Sequence, residues 1–168
     1  LLPRIATSVD LTDTQTVLAG ASGAFGPNNS GPGARTRVFG VDVFWRWRSA
    51  FAFQGFPFVS FQAEALGRQY EAVERESPED PDVALPSETL GDWGTYAEIL
   101  WGIRPRWVAG VRGDLVSGED AAFESDLRKD RYRLSPSVTW YPSEFSKVRL
   151  QYNLDHREGL GTDHSVWM

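Results

Sequence analysis

Charged residues recur at every second position in this sequence, and that spacing has chemical consequences. In "RVFGVDVFWRWR" Asp42, Arg46 and Arg48 share one parity; in "FVSFQAEALGRQY" Glu64 and Arg68 do so. The pattern continues with Glu98 and Arg104, with Arg106, Arg112 and Asp114, with Arg131 and Arg133, and with Lys147, Arg149, Asp155 and Arg157. On the six clearest segments this parity carries eleven Lys or Arg against the five acids Asp42, Glu64, Glu98, Asp114 and Asp155. A face of that kind must be wet or densely paired. Lining a channel, its positive excess would lower the entry barrier for anions. The residues expected to line such a pore are Asp42, Arg46, Arg48, Glu64, Arg68, Glu98, Arg112, Asp114, Arg131, Arg133 and Arg149.

A second chemistry is metal binding. His156 and His164, flanked by Asp155 and Asp163, sit on either side of a short turn where they could approach each other. Imidazole and carboxylate are zinc ligands, but two histidines without a third ligand fall short of a site. The expectation is interfacial or loop histidines, with no metal and no cofactor. Catalytic signatures are missing: there is no G-x-S-x-G, H-E-x-x-H, Walker loop or G-x-G-x-x-G. Adjacent carboxylates such as Glu79-Asp80 and Glu119-Asp120 fall in loops with no apolar pocket to shift them. An enzyme is not expected.

The elements that carry these residues are strands. In "KVRLQYNLDHR" Val148, Leu150, Tyr152 and Leu154 alternate with polar neighbours, and a period of two is the mark of a half-apolar strand. Nine such segments are expected, two weak ones before residue 26 and a partial one at the end. Pro136 falls inside one of them and, lacking a donor, predicts a bulge or a locally broken ladder. Connections near 12, 49–57, 104–106 and 142–146 are short or aromatic. Those at 26–34, 73–92 and 117–130 are long and polar, the last two acidic; the connection at 158–163 is short. Antiparallel neighbours put alternate connections at opposite ends, so one end carries short turns and the other long loops, as in outer-membrane barrels.

The chain has 168 residues, with seven Trp, ten Phe, five Tyr and no Cys, which removes disulfides and thiolate metal sites. A net charge of −6 argues against a nucleic-acid partner. Its one Met is Met168, and "HSVWM" stops inside an alternation, so a piece of a longer protein is expected, without an internal domain boundary. The chain holds no run of apolar residues long enough for a transmembrane helix, which does not bear on membrane strands.

Parity alone does not say which face points outward; the aromatic residues do. Trp45, Trp47, Trp101, Trp107 and Trp140 lie on the apolar parity near the short-turn end, and Trp93 and Tyr132 lie on it beside the long loops. Membrane barrels place rings in girdles at both interfaces. A soluble β-sandwich or open barrel would instead bury these rings in a core. The fold expected is all-β, an antiparallel up-and-down transmembrane barrel of which about nine strands are present.

The tail "RLSPSVTWYPSEFSKVRLQYNLDHREGLGTDHSVWM" resembles the C-terminal end of Gram-negative outer-membrane porin-like proteins often labelled TonB-dependent or zinc-regulated receptors. "LTDTQTVLAGASGAFGPN" and "FGVDVFWRW" are similar to earlier strands of that group, so the likeness touches most of the chain. The resemblance implies a large single-chain barrel with an aqueous lumen in the cell outer membrane, in contact with lipid and lipopolysaccharide and passing small solutes. Its alternatives are a receptor barrel for metal or metal-chelate uptake and a soluble β-rich binding module. The oligomeric state stays open.

Overall fold

Alternation of apolar and charged residues over a dozen positions can be satisfied only by extended chain, and adjacent extended segments joined by tight turns pair antiparallel. A computed structural model describes residues 1–77, 82–119, 121 and 128–168. Eleven strands are present: β1 (Arg4–Thr12), β2 (Gln15–Pro27), β3 (Arg35–Phe53), β4 (Phe56–Ala72), β5 (Arg75–Glu76), β6 (Ala84–Leu85), β7 (Glu88–Arg104), β8 (Trp107–Gly118), β9 (Arg131–Ser143), β10 (Ser146–Arg157) and β11 (Gly161–Trp167). No described residue is helical, and no helix is long and apolar enough to cross a membrane. Nine strands form one antiparallel sheet in the order β1-β2-β3-β4-β7-β8-β9-β10-β11. The sheet is open, with β1 and β11 at its edges.

The order is a pure meander, each strand pairing with the next, as short hairpin connections dictate. All four register irregularities fall at the short-turn end, beside the turns after β1, β3, β7 and β9. Several boundaries differ from expectation. The connection expected over 49–57 is strand as far as Phe53, with Gln54 and Gly55 at positive φ making the turn. The loop expected over 73–92 holds the small β5–β6 hairpin and ends at Glu88, where β7 begins. Strand β8 runs on to Gly118, and β11 starts at Gly161 rather than after 163. At Pro136 the second of the two expected outcomes holds, a locally broken ladder without a bulge: β9 pairs with β8 through Val111↔Pro136, while its pairing with β10 skips Ser135 and Pro136 and resumes in the same register. The remaining parts of the two acidic loops, including Glu79, Asp80 and Asp120, lie outside the described residues.

This sheet has no second layer on it. Its accessible surface is 11590 Å², against roughly 8,300 Å² for a compact monomer of 18.8 kDa. Among the described residues the buried apolar ones are only Ala34, Ala72, Leu85 and Val108, and no large side chain is fully enclosed. Burial separates the two faces in the sense expected from the aromatic placement, apolar side outward. Ser60, Ser135, Ser137, Thr139 and Asn153, all on the polar parity, are buried. Val41, Ile99, Trp101, Leu134, Val138 and Leu150, on the apolar parity, are exposed. The sheet therefore curls toward its polar face.

Candidate functional site

Register converts one-dimensional parity into rows that cross the sheet. The row of Asp42 runs through Gly20 to one side and through Glu64, Tyr96, Asp114, Arg133, Asp155 and Asp163 to the other. The next row on the same face holds Phe44, Gln62, Glu98, Arg112 and Ser135. Every residue expected to line a pore sits on this concave face. Four more charged residues join them: Arg4 on β1, Asp10 opposite Thr16, Asp92 opposite Arg68, and Asp163 opposite Asp155. Asp92 and Asp163 had been assigned to loops, which concealed them.

The positive excess expected there is largely compensated within the face itself. Arg4 Nη1 donates to Asp42 Oδ1 at 2.8 Å, reaching over Gly20, whose missing side chain leaves the space. Arg68 Nε donates to Asp92 at 2.9 Å, and Arg128 approaches the other oxygen of Asp92 at 3.1 Å. Arg112 Nη2 donates to Asp114 at 2.6 Å and lies 3.9 Å from the ring centre of Tyr96. Tyr96 in turn accepts from Gln62 at 2.7 Å. Arg131 and Arg133 share Asp155, Arg133 at 2.6 Å. Arg149 stands 3.8 Å from Glu98 and donates to Ser137 at 3.3 Å. These pairs are partly exposed, so each contributes only about 0–1 kcal/mol; their larger effect is to hold side chains flat along the wall. Between Arg149 and Asp155 the wall of β10 and β11 is neutral: Gln151 donates to Asn153, Asn153 to Ser165, and Trp167 Nε1 to Ser165. Trp167 lies on the polar parity, unlike the belt tryptophans.

Most of the cations that keep no acid among the described residues lie at the short-turn end, with Arg35 and Arg157 at the long-loop end. Among the described residues Arg46, Arg48, Arg106 and Lys147 have no carboxylate within 4 Å; Arg46 instead stacks on Phe58 at 5.4 Å.

The opposite face is predominantly apolar, with a few Thr, Gln and His among its residues. From the row of Val41 to the row of Trp47 it holds no Asp, Glu, Lys or Arg on any of the nine strands. Rings mark its edges. Phe39 and Trp93 share one row; Trp47 and Trp101 share another, eight residues further along each strand. Tyr132 and Trp140 repeat the spacing on β9, where Trp140 pairs with Trp107 and stacks on it at 6.0 Å. Trp45 donates from Nε1 to Gln15 at 3.2 Å. Eight residues of strand span roughly 26 Å, or about 20 Å along the normal at a tilt near 40°.

The two histidines also lie on this apolar face, engaged with neighbours. His156 stacks on Tyr132 at 4.8 Å and its Nδ1 is 2.8 Å from Thr162 Oγ1; His164 is hydrogen-bonded to Tyr152. Among the described residues no group of three or more His, Asp or Glu could hold a metal ion.

No protein-family profile matches the chain, and no solved structure matches it. An uncharacterized protein of Aquifex aeolicus (strain VF5) is 26% identical over 120 residues, 70% of this chain. The chain spans only 24% of that relative's length.

Proposed function

We propose that these nine strands are part of a porin-like β-barrel in the outer membrane of a Gram-negative bacterium, through which small solutes cross. One observation carries the reading: a charge-free apolar band across all nine strands, edged on three of them by rings eight residues apart, on the exposed face of a sheet with no second layer. Lipid satisfies such a face without a packed core, and its ring-to-ring height of about 20 Å is somewhat below the roughly 25 Å apolar band that aromatic girdles flank in membrane barrels. Backbone groups in lipid must all be paired, so in this reading β1 and β11 continue into further strands of a closed wall.

The concave face then borders water. Its paired arginines and acids set a nearly balanced wall along the strand centres, and the unpaired arginines at the short-turn mouth leave a mild preference for anions. The test is reconstitution of the full-length protein in planar bilayers. Stepwise conductance with a reversal potential displaced toward the anion supports the reading. A protein that stays soluble without detergent and gives no steps removes it.

A further inference from the structure

We propose that the short-turn mouth of the polar face is a subsite for amphipathic organic anions, aromatic carboxylates being the class it fits. The inference rests on the pore reading for its place in transport.

The mouth departs from the rest of the concave face in two ways. First, it is apolar where the wall elsewhere is charged. The rings of Phe56 and Phe58 lie over Gly102: a Cβ there would meet Phe58 at 2.3 Å and Phe56 at 2.9 Å. The two rings are 5.4 Å apart, and Val108, which pairs with Gly102, is buried beside them at 8% exposure. Phe56 continues into a hollow of about 420 Å³ shared with Arg106 and Tyr141, within the size range of small-molecule sites. Second, its cations are unspent. Arg46 stacks on Phe58 at 5.4 Å, and Arg48 pairs directly across from Phe58. Neither has a carboxylate within 4 Å among the described residues, whereas the arginines at mid-strand do. The acids at this rim are Glu144, which lines the hollow, Asp13, beside Arg48, and Asp10, in the row of Arg46 and bonded by Thr16; against Arg46, Arg48, Arg104, Arg106 and Lys147 they leave the rim positive.

One ring lies under an arginine and the second is tilted against it. The rings stay accessible beside charges that lack counterions. A small inorganic anion would use the arginines and gain nothing from the rings; a neutral aromatic would do the reverse. A flat apolar body carrying a carboxylate uses both, by stacking and by a charge-assisted pair with guanidinium.

Benzoate is the probe, with acetate and benzyl alcohol as the charge-only and ring-only controls. Binding is read by saturation-transfer NMR on the detergent-solubilised full-length protein, and current block by benzoate in planar bilayers. Benzoate is expected to bind about tenfold tighter than either control, and Arg46→Gln with Arg48→Gln to weaken it about tenfold while benzyl alcohol is unaffected. Circular dichroism of the variant confirms its sheet. Conductance steps without preferential benzoate binding, or benzoate binding untouched by the double variant, overturn the subsite and leave the pore standing. Absence of conductance steps overturns the pore reading and the transport role of the subsite with it.

Discussion

The guanidinium of Arg112 lies 3.9 Å from the ring centre of Tyr96 on the neighbouring strand while its nitrogens hold Asp114, two residues along its own strand. One arginine is thereby pressed against the wall by a ring and neutralised by an acid. The arrangement turns a residue that parity marks as a pore charge into part of a balanced surface.

Releasing that arginine should change selectivity. Asp114→Asn removes the acid and leaves Arg112 on Tyr96, adding one net positive charge to the lumen. At roughly 8 Å through water a unit charge is worth about 0.5 kcal/mol, favourable to an anion and unfavourable to a cation, so the anion-to-cation permeability ratio should rise about fivefold. Reversal potentials in a salt gradient check it; an unchanged ratio would mean that this face does not border the conduction path.

Asp155 is the shared partner of Arg131 and Arg133, with 16% of its side chain exposed. Asp155→Asn leaves two arginines facing each other without a counterion and should destabilise the sheet by about 1–2 kcal/mol. Arg131→Gln or Arg133→Gln alone should cost less, because the remaining arginine keeps the acid. Urea midpoints of the three variants, compared at constant slope, test the ordering.

How much of this was legible beforehand depended on what each feature needs. The nine strands and their parity required only local alternation, and segments such as "RVFGVDVFWRWR" display it plainly. Boundaries failed where composition was one-sided: residues 49–53 are nearly all apolar and residues 88–92 hold two acids, so neither shows alternation. Asp92 looked like loop although it faces Arg68 across two strands. The pairing of the arginines was illegible for a different reason. Parity says which face a charge is on, but its partner is set by register with a neighbour about 20 or more residues away, as with Arg131 and Asp155 or Arg4 and Asp42. The connection before β11 was expected at 158–163, whereas the strand already begins at Gly161 and its pairing places Trp167 opposite Gln151.

The two glycines Gly102 and Gly113 should respond oppositely to one added methyl. At Gly102 a Cβ would lie 2.3 Å from the Phe58 ring, so Gly102→Ala must displace two phenylalanines, at about 1–3 kcal/mol. At Gly113 nothing lies within 4 Å, and Gly113→Ala should be neutral or stabilising by about 0.4–1 kcal/mol. Unfolding midpoints of the pair read the contrast directly.

Adjacent residues on β4 should differ in their tolerance of charge. Ala63 lies on the apolar face in the row midway between the two belts, and Gln62 lies on the polar face. Ala63→Arg should cost about 2–4 kcal/mol and impair assembly in the membrane, as a cation at mid-bilayer does. Gln62→Arg loses its hydrogen bond to Tyr96 and should cost about 1 kcal/mol. Yield of folded, heat-modifiable protein separates them.

The most direct test of the orientation of the sheet uses these 168 residues, which hold no cysteine, within a full-length protein from which any other cysteine has been removed. Single cysteines are placed at Gln62, Ala63, Glu64, Ala65, Tyr96, Ala97, Glu98 and Ile99 in the full-length protein, and each variant is exposed in native membranes to a water-soluble maleimide and to a lipid-soluble one. Labelling by the water-soluble reagent at 62, 64, 96 and 98, and by the lipid-soluble one at 63, 65, 97 and 99, is the predicted result. Uniform labelling from water along both strands, or the inverse alternation, would contradict it.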